Sequence, residues 1–200
     1  MPLTLRSSPS SPFARKVRMA ALILDLMDGI TVENCVTTNP EDSIRRQNPL
    51  GKIPALILED GTVIYDSRVV LEYLDTLAGG GKIIPVDTKA RFKALTLASL
   101  ADGMMDAGIL IIYEDRYRPG QTPYEPWLDY QRDKIKLAVT HLEASPPAFD
   151  VTVGSIGLAC ALGHLDFRKY VDWRPLAPSL VKWLDAFAAK VPAYGETMPG

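Results

Sequence analysis

The chain has 200 residues, 47% hydrophobic and 23% charged, with a formal net charge of −2. That length and composition allow a sizeable core in one or two domains and fit an ordinary globular protein. The near-neutral charge argues against nucleic acid or an anionic membrane as partner. No apolar run approaches the roughly 18 residues that span a bilayer, and the N-terminal stretch is polar where a signal peptide needs its apolar region, so a cytoplasmic location is expected.

In chain order, Leu3 to Leu5 reads as a short strand, and Ser7 to Pro12 as a serine- and proline-rich loop ending at a helix start. Ser11 is the natural N-cap and Pro12 the favoured first helical residue. Phe13, Val17, Ala20, Leu24 and Met27 then recur at helical spacing as a buried stripe, with Asp28-Gly29 expected to end the helix. Arg15, Lys16 and Arg18 crowd the first turns, where cations oppose the helix dipole. Two explanations are open: a nearby anion, or simple solvation of the charges.

Ile30 to Val36 reads as a second strand and Asn39 to about Gln47 as a short irregular helical segment. Asn48-Pro-Leu-Gly-Lys-Ile-Pro54 follows, with Pro54 heading the apolar run Ala55 to Leu58. Pro cannot donate to a sheet ladder, so it belongs at a strand's first residue or edge, and an X-Pro bond is where a cis peptide is cheap. Asp60-Gly61 marks a hairpin to a return strand Val63 to Tyr65, and Asp66-Ser67 caps a helix with Val70, Tyr73, Leu74 and Leu77 on one face. The order is βαβαββα. Its crossover requires a parallel pair and its hairpin an antiparallel pair, giving a small mixed sheet.

This stretch also carries chemistry. A Pro-headed strand leaves the Ile53 backbone free for an extended ligand. The Ser67 hydroxyl and the free N–H groups at the helix start suit a carboxylate or phosphate, with Lys52 as a counter-ion nearby. An ordinary hairpin and capped helix explains the same spacing.

Ala78 to Lys82 breaks the helix, and Ile83-Ile84-Pro85 continues as a linker. The division expected is 1–78, a linker 79–86, and an all-helical part 87–200. Thr88 to about Tyr117 reads as one long helix carrying Leu95, Ala98, Met105, Ile109 and Ile112, and Pro126 to Glu143 as a second. A third begins near Val153, capped by Thr152 with Ser155 three residues on, and the last runs from Ser179 to Lys190. Cys35 and Cys160 lie far apart with no CxxC pair, and the only histidines are His141 and His164. Neither a disulfide nor a metal site is expected; Cys160 reads as a small buried hydrophobe and the histidines as packing or capping residues.

A βαβαββα unit with Ile-Pro heading its third strand, a Gly-rich linker and a helical remainder resembles the cytosolic glutathione transferases. The likeness rests on Ser11-Pro12-Phe13, the Asn48–Pro54 run and Asp66-Ser67, and extends through Tyr170 to Trp173 and Pro178 to Leu184. It implies a thioredoxin-like α/β domain followed by an all-α domain, and a detoxifying transferase. Glutathione would be the co-substrate, held by the Ile53 backbone beside a cis Pro54, by Asp66 and Ser67 at its γ-glutamyl end, and by Lys52 at its glycyl end. Ser11 would donate to the sulfur, with Ser10 as main rival and Ser7 and Ser8 in the same loop.

The same resemblance places a small electrophilic second substrate against Phe13, Met104, Met105, Ile109 and Tyr113, for which plain core packing is the alternative, and implies a homodimer. Many bacterial members carry Cys where Ser11 stands, which argues against glutaredoxin-like activity here. The family's helical capping box usually ends in Asp, and Ser155 in its place implies somewhat lower stability. Lyase, isomerase or dehalogenase chemistry would share this site, and a non-catalytic binding or regulatory module of the same fold is the alternative from a different class.

Overall fold

A computed structural model describes residues 3–199. Its first half comprises β1 (Leu3–Ser7), α1 (Pro12–Ile23), β2 (Ile30–Asn34), α2 (Ile44–Gln47), β3 (Ala55–Ile57), β4 (Val63–Ile64) and α3 (Ser67–Leu77). Then come α4 (Thr88–Tyr117), α5 (Glu125–Ala144), α6 (Val153–Arg168), α7 (Pro178–Lys190) and α8 (Pro192–Glu196). The four strands are ordered β2-β1-β3-β4. β1 runs parallel to β2 with Leu3 opposite Ile30, and antiparallel to β3 with Leu5 opposite Leu56, while β3 and β4 form the hairpin. A thioredoxin-like sheet unit is thus followed by helices alone.

Apolar periodicity explains the packing. Leu3, Leu5, Ile30 and Leu56 from the sheet meet Val17 and Ala21 of α1 and Val70 and Leu74 of α3 in one cluster. Met19 and Ala20, on another stripe of α1, face a larger core around α6. Every residue of α6 from Val153 to Leu165 is buried, which is why this helix reads as apolar all round. It lies close against α4: a Cβ on Gly154 would come within 2.7 Å of the Ala94 carbonyl oxygen. Its N-terminus carries a complete capping box, Ser155 N–H donating to Thr152 Oγ1 at 3.4 Å and Thr152 N–H to Ser155 Oγ at 2.8 Å. The serine hydroxyl therefore closes the box without a carboxylate.

Several local expectations are corrected. Helix α1 stops at Ile23 rather than at Asp28, because Asp25 takes a left-handed φ of 56°. Asp25 N–H then bonds the Leu22 carbonyl and Leu26 N–H the Ala21 carbonyl, satisfying the last turn. Met27 consequently sits in a short 3₁₀ turn. Strand β2 ends at Asn34 and α2 begins only at Ile44, since the Asp42 carboxylate accepts from the Val36 and Ile44 N–H groups and ties the intervening chain into turns. Helix α8 is an addition, with Pro192 as its first residue. Helix α4 has an 18-residue window of mean hydropathy 1.6, long and apolar enough to cross a membrane by length and composition. Here it packs between α5 and α6.

The segment after α3 is fixed by a residue that periodicity does not single out. Asp75, 5% exposed, accepts from the N–H groups of Gly81, Lys82 and Ile83 at 2.9, 2.9 and 2.8 Å. Ile83 in turn offers its carbonyl to Val153 N–H at 2.9 Å, which fixes the chain to the start of α6. Asp75→Ala is expected to lower stability by about 3 kcal/mol in urea unfolding, because three donors lose an ionised acceptor together.

Candidate functional site

The sheet register brings the separate sequence signals to one edge. Arg6 of β1 pairs with Ala55 of β3, and Leu56 of β3 with Ile64 of β4. The carboxyl ends of β1 and β4 therefore flank the amino end of β3, so Ser10-Ser11, Ile53-Pro54 and Asp66-Ser67 all leave the sheet on the same side. Pairing of β3 starts at Ala55, one residue past a cis Ile53–Pro54 bond. Asn48, 2% exposed, holds the approach by donating to the Lys52 carbonyl at 2.8 Å, while the Lys52 side chain stays exposed.

Two helix starts frame this edge. Ser11 caps α1, its Oγ accepting from Ala14 N–H at 3.2 Å, a bond that does not use the hydroxyl proton. Ser10 Oγ lies 3.5 Å from Ser8 Oγ instead. Asp66 caps α3 by accepting from Arg68 N–H at 3.0 Å, and Ser67 is the first helical residue. Uncompensated N–H groups of such a first turn attract an anion.

Of the three cations at the start of α1, Arg15 and Lys16 are buried within the protein and Arg18 is partly exposed. Lys16 is 1% exposed and donates to Asp102 Oδ1 of α4, while Arg68 Nε donates to Oδ2 of the same carboxylate at 2.8 Å. Arg15, 2% exposed, donates to the Tyr194 carbonyl at 2.9 Å. The anion that the helix-dipole conflict pointed to thus exists within the protein, as Asp102. One turn further along α4, burial and the Asp102 charge push the Asp106 carboxyl up, opposed by Arg68, Lys52 and Lys16.

The residues named for a second substrate separate. Phe13, Ile109 and Tyr113 are partly exposed, and Met105 is 1% exposed. Burial pushes the Tyr113 hydroxyl up, beside Tyr117 and Arg116. Met104 instead lines a groove of about 650 Å³ between α4 and α5, with Phe92, Leu95, Leu100, Lys134 and Ala138 among its neighbours. All the residues lining this groove come from α4 and α5, and none from the sheet edge. Among the described residues, no group of three or more His, Cys, Asp or Glu is placed to hold a metal ion.

Comparison with known proteins places this geometry. The model of the glutathione S-transferase N-terminal domain matches residues 5–82. The uncharacterised GST-like protein YibF of Escherichia coli K12 is 34% identical over 92% of each chain. The chain belongs to the glutathione S-transferase family. A glutathione transferase family member from Pseudomonas fluorescens Pf-5, solved with bound glutathione, superposes on it with a TM-score of 0.92 at 40% identity over 99% of both chains. A structure of a family member from the same organism with bound S-(propanoic acid)-glutathione gives 0.86 at 41%, covering 99% of this chain and 100% of that one.

Within this transferase-family site, Asp102 was the residue that sequence reasoning missed. An Asp within the apolar run of α4 was the available signal, shared with Asp106 one turn on, and its partners lie 86 and 34 residues away. Asp102→Ala is expected to cost about 3–5 kcal/mol in chemical unfolding, because Lys16 is left buried and unpaired, and Lys16→Met in that background to restore most of it. His164, 3% exposed in α6, shares a hydrogen bond of 2.9 Å between Nδ1 and Tyr170 Oη. Burial, helped by Arg168 and Arg15, lowers its pKa from 6.5 to about 4. The unfolded chain therefore binds that proton more tightly. The stability from keeping His164 neutral is complete above pH 6.5 and is lost as pH falls towards 4, by roughly 3 kcal/mol. Unfolding curves at several pH values are expected to show this slope in the wild type and to lose most of it in His164→Gln.

Proposed function

We propose that this protein is a glutathione S-transferase that binds glutathione along the sheet edge and activates its thiol for attack on an electrophilic carbon. The observation that carries the reading is the convergence, on one edge, of the Ser11 cap of α1, the Ile53 backbone outside the strand ladder and the α3 N-terminus at Ser67. The Ile53 backbone takes the cysteinyl unit, and Asp66 and Ser67 take the γ-glutamyl end with its carboxylate on the first turn of α3. Lys52 meets the glycyl carboxylate. Glutathione in the Pseudomonas relative supports this assignment, and S-(propanoic acid)-glutathione, a thioether, is the class of product such a reaction yields.

A free thiol titrates near about 8.5. A hydroxyl donor and the N-terminal pole of α1 both favour the thiolate, which lowers that value. The thiolate sulfur then forms the new bond to carbon, while the leaving group departs with its electron pair or the electrophile takes up a proton. Bound glutathione and a second substrate lying against Phe13, Ile109 and Tyr113 react as neighbours instead of by encounter. Met105 forms the floor of that wall, and Met104 belongs to the groove on α5. We assign the 1–78 unit to glutathione, the 79–86 linker to joining it, and the 87–200 helices to the second substrate. A homodimer belongs to the same reading, supported by the apolar α4–α5 groove with Phe92 63% exposed at its rim. Two free, buried cysteines suit a reducing cytoplasm.

Retention on immobilised glutathione is the first test; elution in the flow-through would remove the enzyme reading. Ser11→Ala is expected to raise the pKa of the bound thiol by about one unit and to lower kcat about tenfold, with the KM for glutathione within about twofold of wild type. Full activity in Ser11→Ala together with loss in Ser10→Ala would transfer the role to Ser10. A chain that binds glutathione but turns over no electrophile would instead be a binding module of this fold.

A further inference from the structure

Beneath the N-terminus of α1 the turn Pro9–Pro12 closes over a small cavity whose other walls are Arg15, Cys160, His164 and Pro199. At about 10 Å³ it has room for about one water molecule. Two of its lining residues each carry a buried polar atom without a partner, Arg15 at Nη1 and His164 at Nε2. Each is the remaining group of a side chain whose other contacts are made. Arg15 donates from Nη2 to the Tyr194 carbonyl and from Nε to Thr197 Oγ1, and His164 Nδ1 is bonded to Tyr170 Oη. Gly163 supplies the space, since a Cβ there would stand 2.5 Å from Arg15 Nη1 and 2.9 Å from Tyr194 Oη.

A buried guanidinium N–H and a buried imidazole nitrogen are costly to leave unpaired. Water satisfies both, because it accepts and donates at once. We propose that this cavity holds one internal water that accepts from Arg15 Nη1, donates to His164 Nε2 and gives its second proton to a hydroxyl oxygen of the Ser10–Ser11 turn. The inference rests on the reading of Ser11 as the donor to the glutathione sulfur. In this arrangement His164 is the neutral tautomer with Nδ1–H donating to Tyr170 Oη, in keeping with the lowered pKa that burial gives it. A serine oxygen that already accepts from water and from Ala14 N–H is a stronger donor through its own proton. Arg15 and His164 thereby become positioning residues for the serine, although neither reaches the ligand.

The experiment combines a high-resolution crystal structure of the wild-type glutathione complex with titration of the bound thiolate by its ultraviolet absorbance. The variants are Ser11→Ala, His164→Phe, His164→Gln and Arg15→Met. Water density within hydrogen-bond distance of both Arg15 Nη1 and His164 Nε2 is expected. His164→Phe is expected to weaken thiol ionisation about threefold and to lower kcat by a similar factor with the KM for glutathione unchanged, and His164→Gln to recover most of the loss. A cavity without water in that structure, or a folded His164→Phe whose thiol titrates as wild type, overturns the proposal. If the variants do not fold, the wild-type structure decides alone. A thiol shift in Ser11→Ala with none in His164→Phe removes only the water link, whereas no shift in Ser11→Ala removes the serine reading itself.

Discussion

The carboxylate of Asp102 is the interaction on which the rest of the structure depends. It sits 2% exposed, receives Lys16 from α1 on one oxygen and Arg68 from α3 on the other, and belongs to α4. Removing an ammonium ion from water costs several kcal/mol unless an opposite charge is held against it. Lys16 can therefore be buried only while α4 stands where it does. These cations lie beside the candidate site: Lys16 is little more than one helical turn from the Ser11 cap, and Arg68 follows Ser67 directly. One ion triad thus sets the sheet unit and the helical unit against each other and fixes both helix starts at the candidate site.

Around that triad, the N-termini of α1 and α3 meet the exposed Lys52 at one sheet edge. The dipoles of α1 and α3 both present N–H groups there, and Lys52 adds an exposed charge beside that of Arg68. Arg6 is 6% exposed and bonded to Ser43 and Asp42, so it anchors the turn before α2 instead of attracting a ligand.

Helix α4 serves two surfaces at once. Its Asp102, Met105 and Ala101 are buried towards the interior, while Phe92, Thr96, Ser99 and Gly103 line the open groove beside α5. Such a helix is apolar over most of its circumference and passes a length-and-composition test for membrane spanning, although an ion pair lies in its middle. The relation between YibF, the Pseudomonas structures and this chain spans both halves, so this arrangement extends along the whole protein.

The sequence by itself determined the element order as far as α7, the parallel crossover and hairpin, the Ser11 and Thr152 caps, and the family. Each depends on contacts within a few residues or on a period along the chain: the Pro12 first-turn position, the Asp60-Gly61 turn, and the apolar spacing of Val70, Leu74 and Leu180, Leu184. Tertiary structure alone decided the fate of the charges. For Arg15 and Lys16 the sequence left a nearby anion and simple solvation both open, because nothing local names Asp102 or Tyr194 as partners. The end of α1 turned on one left-handed residue, Asp25, and Met104 was assigned a side only when α5 packed against α4. Burial, ion pairing and the cavity between Arg15 and His164 are properties of groups far apart in the chain. Their free energies depend on distances that no local pattern encodes.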